Sequence, residues 1–119
     1  MNKVFITGMG IISAIGNNTS ENLTNLQNGK TGIGKAKYVK SNYTKTHPFA
    51  EVKCSTEELK SRLDLNITKG LTRTDCLAFS AFQESIENAQ LQPKEISSEK
   101  TAFISASTIG GMCMTNELH

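Results

Sequence analysis

Residues Val4 to Gly16 read VFITGMGIISAIG, and this stretch restricts the fold more than any other. Lys3 to Thr7 is short, β-branched and apolar at consecutive positions, the pattern of a strand covered on both faces in a parallel or mixed sheet. Such a strand belongs at the centre of a sheet, not at its edge. The glycines that follow, Gly8, Gly10 and Gly16, invite comparison with a phosphate cradle. A dinucleotide fingerprint, however, needs Gly-x-Gly-x-x-Gly with the helix opening at once, so that the pyrophosphate rests on free N–H groups. Here Gly8-Met9-Gly10-Ile11-Ile12 leads to Ser13, and the next helix signal comes only at Asn18. Spacing and the late helix both argue against NAD or FAD. Gly29-Lys30-Thr31 fails as the tail of a Walker A loop for similar reasons: position 24 is Thr, and the triplet follows a helix instead of opening one.

The remaining elements are read from caps and periodicity. Asn18, with Glu21 three residues on, predicts a helix over about Ser20 to Asn28, closed by Gly29 with Lys30 as a solvated charge beyond it. Residues 30 to 54 read as loop with one short strand at Pro48 to Lys53. Ser55 and Glu58 form a capping pattern for a short helix that fades before Asn66. A second cap, Thr72 with Asp75, opens a helix from Asp75 to Gln90 on which Phe79, Phe82, Ile86 and Ala89 recur at helical spacing. Cys76, Leu77, Ala78 and Ala81 widen its apolar face beyond a surface stripe, so it wants protein on most sides. Pro93 is expected to stop this helix, a polar linker to run to Lys100, and Thr101 to Ser105 to form a second strand ending in a turn at Gly110-Gly111. The order strand, helix, loop, helix, long buried helix, strand predicts an α/β sheet with right-handed crossovers. Two strands do not complete such a sheet, so the chain is expected to be the opening portion of a larger domain.

Composition narrows the partners. With 119 residues and a formal charge of +2, the chain has room for one domain and lacks the basic excess of a nucleic-acid binder. Only Tyr38 and Tyr43 accompany the mildly basic stretch Lys35 to Lys45. No apolar run reaches the roughly 20 residues of a membrane span, and Thr7, Gly8 and Gly10 interrupt the start too early for a signal peptide, so a cytoplasmic location is expected. Cys54, Cys76 and Cys113 are odd in number and widely spaced, which suits reduced thiols and not a disulfide framework or metal site. Cys54 and Cys76 read as small packed or surface residues, His47 sits in a loop, and no spacing supports a Cys-His pair, a carboxylate pair or a metal cluster.

In combination these segments resemble the β-ketoacyl-ACP synthases, the condensing enzymes of fatty-acid and polyketide synthesis, with a thiolase-like fold. Val4 to Gly16 resembles the family's opening strand and turn, and Asn28-Gly29-Lys30-Thr31-Gly32-Ile33 its next block. Arg73-Thr74-Asp75, the Ala- and Phe-rich helix to Leu91, and Phe103 to Met112 resemble the later ones. The likeness covers residues 1–119 in order, with a loop-rich insertion at about 30–70, and is nearest to the elongating branch. Ala14 stands where proline is common, and Ala106 and Thr108 where glycine is frequent.

The resemblance implies the N-terminal part of a thiolase-like α/β fold and an acyltransferase that loads an acyl chain on cysteine and condenses it with malonyl-ACP. In the family the nucleophile lies in a Thr-Ala-Cys setting and two histidines lie in His-Gly-Thr and Gly-His motifs. None of these occurs in this chain. Cys113 lacks that context, so no catalytic residue, metal or cofactor is carried over, and the chain alone is expected to be inactive. Thr108, Ile109 and Gly110 correspond to a turn near the acyl pocket and dimer interface; Gly110 and Gly111 also suit a tight backbone turn and nothing more. The implied partners are acyl carrier protein, a second copy of the chain, or a complementing ketosynthase portion, with no nucleic acid and no membrane. A non-catalytic, chain-length-factor-like subunit is the alternative.

Overall fold

Local capping chemistry sets the helices. In the computed structural model, which describes residues 3–63, 70–108 and 110, α1 spans Thr19–Gln27. The Asn18 side chain accepts from the Glu21 N–H at 2.8 Å and satisfies one of the free donors of the first turn. Glu21 in turn reaches back to accept from the Asn17 N–H at 2.8 Å, one residue beyond the usual capping box. At the other end Gly29 takes φ +63°, its N–H donates to the Leu26 carbonyl, and Lys30 N–H donates to the Asn25 carbonyl. That pair of bonds is the Schellman closure, and the left-handed φ is the reason for glycine there.

The next two helices repeat the scheme. Ser55 and Glu58 cap α2, Thr56–Leu63, with the Glu58 N–H on Ser55 Oγ at 3.0 Å and the Ser55 N–H on the Glu58 carboxylate at 2.6 Å. Thr72 and Asp75 do the same for α3, Arg73–Ala89. α3 closes as α1 does, with Gln90 N–H on the Glu87 carbonyl and Leu91 N–H on the Ile86 carbonyl, but the left-handed residue is Gln90 at φ 56°. A side chain in that region costs about 1–2 kcal/mol.

Three expectations need correction. α3 ends at Ala89, within one residue of the expected Gln90, but the stretch expected to be a polar linker contains a single turn, α4 at Pro93–Ile96, which Pro93 opens and where its missing N–H costs nothing; Glu95 steadies the turn by accepting from the Gln92 N–H at 2.7 Å. The strand expected at Pro48 to Lys53 is only β2, Phe49–Ala50, because the Val52 and Cys54 carbonyls beyond it are taken by the Arg73 guanidinium. Its antiparallel partner is β1, Ile33–Gly34, within the stretch read as loop; Ile33 lies opposite Ala50 and Gly34 opposite Phe49.

The third correction is larger. Lys3 to Thr7 and Thr101 to Ser105 have strand-like sequences but pair with nothing among the described residues, and Val4 is 95% exposed. A β sequence becomes a strand only when a neighbour satisfies its backbone groups. The buried core lies elsewhere, where α2 packs on α3: Leu59, Leu63, Cys54 and Cys76, flanked by Ile12, Val52, Leu71 and Leu77.

The opening glycines find their reason on the flank of α3. A Cβ at Gly10 would stand 1.8 Å from the Ala81 carbonyl oxygen, and one at Gly8 2.4 Å from that of Ser85. Backbone lies directly on helix backbone, so no side chain fits between. Gly34, by contrast, faces open space. Gly10→Ala should therefore lower the unfolding free energy by about 1–3 kcal/mol, whereas Gly34→Ala should change it by less than about 0.5 kcal/mol. Urea denaturation of the two variants checks the contrast.

Candidate functional site

The turn singled out from the sequence sits above the first turn of α3, and α3 is fixed there by its own first residue. Arg73 donates from Nη1 to the Cys54 carbonyl at 2.8 Å and from Nη2 to the Val52 carbonyl at 2.9 Å, and its guanidinium lies 5.6 Å from the centre of the Tyr38 ring. The helix start is thereby joined to the chain leaving β2. The Thr72 N–H and hydroxyl hold the Asp75 carboxyl below its ordinary range against the opposing effect of burial, so Asp75 is an ionised cap and not a proton donor.

Thr74 carries the contact to the turn. A Cβ built on Gly110 would lie 2.7 Å from Thr74 Cγ2, and the Gly110 N–H donates to Ser107 Oγ at 3.1 Å. Two sequence blocks far apart in the chain, Arg73-Thr74-Asp75 and the glycine turn, thus meet. Thr108 and Gly110 are exposed on that turn, while Ile109 lies outside the described residues. Below it, Phe82 and Phe103 pack edge to face at 4.8 Å between two recesses. One, of about 210 Å³, is lined by Asp75, Ala78, Phe79 and Ser105; the other, of about 310 Å³, by Ile86, Leu91, Ile96 and Ala102. Such linings suit aliphatic or aromatic surface and offer little to a phosphate.

The two cysteines among the described residues are occupied structurally. Cys76 is fully buried in the core, and burial pushes its thiol up, away from thiolate. The Cys54 thiol donates to Asn17 Oδ1 at 3.2 Å. His47 lies in an exposed turn with Nδ1 2.9 Å from Thr46 Oγ1 and its ring edge-on to Tyr43. Cys113 and His119 lie outside the described residues. Among the described residues no group of three His, Cys, Asp or Glu side chains is placed to hold a metal ion, and no helix is long and apolar enough to cross a membrane.

The residues that organise the glycine segment were not singled out from the sequence. Glu84 accepts from the Ile11 N–H at 2.8 Å and the Thr19 N–H at 2.6 Å, so one carboxylate on α3 holds both the segment and the start of α1. Asn88, one turn later, accepts from the Met9 N–H at 3.2 Å. Buried Asn22 donates to the Gly16 and Asn18 carbonyls at 3.0 and 2.8 Å and accepts from the Ser13 hydroxyl, which closes the turn at 13–16. The available signal was Glu84 and Asn88 at i, i+4 on a helix otherwise apolar enough to be covered; polar groups so placed need partners.

With this geometry in view, the comparisons with known proteins are specific. The family described as Beta-ketoacyl synthase, N-terminal domain, matches residues 1–118. The chain is similar to 3-oxoacyl-[acyl-carrier-protein] synthase 1 of Escherichia coli strain K12, 30% identical over 111 residues, covering 93% of this chain and 27% of that protein. It is also similar to the synthase 1 of Buchnera aphidicola subsp. Baizongia pistaciae, 32% identical over 94 residues, covering 79% of this chain and 23% of the relative. The 3-oxoacyl-[acyl-carrier-protein] synthase 2 of Staphylococcus aureus strain COL is 29% identical over 110 residues, 92% of this chain and 26% of its own length. No solved structure matches the chain. The chain belongs to the β-ketoacyl synthase family, as its N-terminal domain, and spans about a quarter of the length of the curated relatives it matches.

Glu84 makes the geometry testable by pH. Burial alone would raise its carboxyl, but the Thr19 and Ile11 N–H groups outweigh burial and hold it below the ordinary glutamate value. A lowered folded-state value contributes stability above the unfolded-state value, and that contribution is lost as pH falls through the folded one. Glu84→Gln should therefore destabilise the chain by about 1–3 kcal/mol near neutrality, with the gap to wild type closing below about pH 4. Urea midpoints measured across pH check this.

Proposed function

We propose that the chain supplies the opening portion of a thiolase-like condensing enzyme, a 3-oxoacyl-ACP synthase of fatty-acid or polyketide synthesis, and is inactive alone. The observation that carries this reading is the uncovered apolar surface. Val4, Phe5, Ile6, Phe103 and Ile104 are each at least 66% exposed, in two extended segments laid beside α3. Covering five such side chains is worth on the order of 10 kcal/mol, comparable to the whole stability of a small domain. The family match and the names of the relatives support sheet strands contributed by further synthase sequence as the cover. In that enzyme the acyl thioester forms on a cysteine and malonyl-ACP is the extender. Acyl carrier protein is then the macromolecular partner, the cytoplasm the location, and a second copy of the assembled domain completes a dimer.

In this reading Thr108, Ile109 and Gly110 form the turn beside the acyl pocket or the dimer interface. Thr108, where glycine is frequent in the family, adds a side chain at that turn. The same exposed surface also suits a second reading, in which the chain is a structural, chain-length-factor-like subunit bound to a complete ketosynthase. Native mass measurement separates the two: a stoichiometric complex with an intact ketosynthase supports the subunit, and self-association through unpaired strands supports the severed portion.

The purified 119-residue chain should show no malonyl-ACP decarboxylation above background, and Cys113→Ala should leave that result unchanged. Turnover by the chain that Cys113→Ala abolishes would overturn the proposal.

A further inference from the structure

Between Glu21 and Glu51 the sequence contains no carboxylate, while Lys30, Lys35, Lys37, Lys40 and Lys45 fall within it. Charges of one sign on a short loop repel and favour an extended, detached arm. The structure instead folds this arm back. The Glu51 carboxylate, directly after β2 and buried, accepts the N–H groups of three consecutive residues: Lys37 through Oε1, Tyr38 at 3.0 Å and Val39 at 3.0 Å. Beyond the two-residue pairing of β1 with β2, the other ties are weaker. The Tyr38 hydroxyl reaches the Lys53 carbonyl at 3.5 Å, and the Tyr38 ring lies under Lys37 Nζ at 5.0 Å and the Arg73 guanidinium at 5.6 Å.

We propose that Glu51 is a charge-dependent latch: its ionised carboxylate docks the lysine-rich arm around residues 37–39, and protonation or loss of that charge releases the arm while α2 and α3 stay packed. Only the ionised form offers acceptors on both oxygens without a competing donor, and three N–H groups converge on it. The charged groups around the latch all favour that form or leave it unopposed. Lys37 belongs to the arm and also lies near Glu58 of α2; Lys53 follows β2, with its ammonium on the Gly32 carbonyl at 3.2 Å; Arg73 of α3 is engaged by two carbonyls. Burial works to raise the Glu51 carboxyl, and the Lys37, Val39 and Tyr38 N–H groups with Lys53 outweigh it and hold it below the ordinary glutamate value. Docking is therefore complete above that ordinary value and is lost as pH falls through the lowered one.

The separation of arm from core has a structural basis. The Glu51 carboxylate contacts Lys37, Tyr38 and Val39 of the arm, whereas Leu59, Leu63 and Cys76 are buried between α2 and α3. The arm contributes none of these core side chains, so its release uncovers none of them directly.

Amide hydrogen exchange of the 119-residue chain, read by NMR from about pH 7 to about pH 3, tests this. Protection factors, corrected for the intrinsic pH dependence of exchange, are compared for Lys37, Tyr38 and Val39 against Phe82 and Gln83 inside α3. In wild type the three arm amides should lose about tenfold protection per pH unit below the carboxylate's titration, with the α3 amides unaffected over the same interval. In Glu51→Gln the arm amides should be unprotected already at neutral pH and insensitive to pH. Wild-type protection of the arm in Glu51→Gln overturns the latch, as does loss of arm and α3 protection at one common pH. If Glu51→Gln does not fold, the release is not local and the proposal fails on that count.

Discussion

The contact on which the rest depends is the bare backbone of Gly8 and Gly10 against the carbonyl ridge of α3 at Ala81 and Ser85. At that distance the segment's N–H groups come within reach of α3 side chains, and Glu84 and Asn88 receive those of Ile11 and Met9. Glu84 also receives the Thr19 N–H, so the position of α1 follows from the same carboxylate. Asn22 on α1 then closes the turn at 13–16. A Cβ at Gly32 would stand 2.5 Å from the Ala14 methyl, which seats the approach to β1 against that turn. Each step is set by the one before it, and the first requires glycine.

That dependence changes what the glycine-rich opening means. Its glycines serve close packing of the opening segment on a helix, and the N–H groups of Ile11 and Met9 are already bound to Glu84 and Asn88. The consecutive apolar side chains of Val4, Phe5 and Ile6, meanwhile, are left exposed. The recesses beside Phe82 and Phe103 are likewise lined mainly by apolar side chains. Membership of the β-ketoacyl synthase family, at about a quarter of the relatives' length, accords with both features.

Legibility followed sequence separation. The caps at Asn18, Ser55 with Glu58, and Thr72 with Asp75, and the closure at Gly29, rest on bonds between residues three to five apart, and all are visible as short patterns. The end of α3 was legible to within one residue, although Gln90 occupies a left-handed position where glycine is the usual signal. The pairing of Ile33–Gly34 with Phe49–Ala50 had no periodic signal, since two residues are too few to alternate. Glu84 and Glu51 act across 73 and 14 residues respectively on backbone donors, which leave no trace in residue type. At the candidate turn, the sequence indicated Gly110, and the structure supplied its neighbour, Thr74.

The seating of the glycine segment on α3 is the central claim, and proton–proton distances test it most directly. In NOE spectra of the isotopically labelled chain, the Gly10 α-protons should show cross-peaks to Ala81 and Ser85, and the Gly8 α-protons to Ser85 and Ala89. Absence of these peaks in a chain whose α3 amides are otherwise assigned and protected, or their loss on titration with NAD or ATP, would contradict the account.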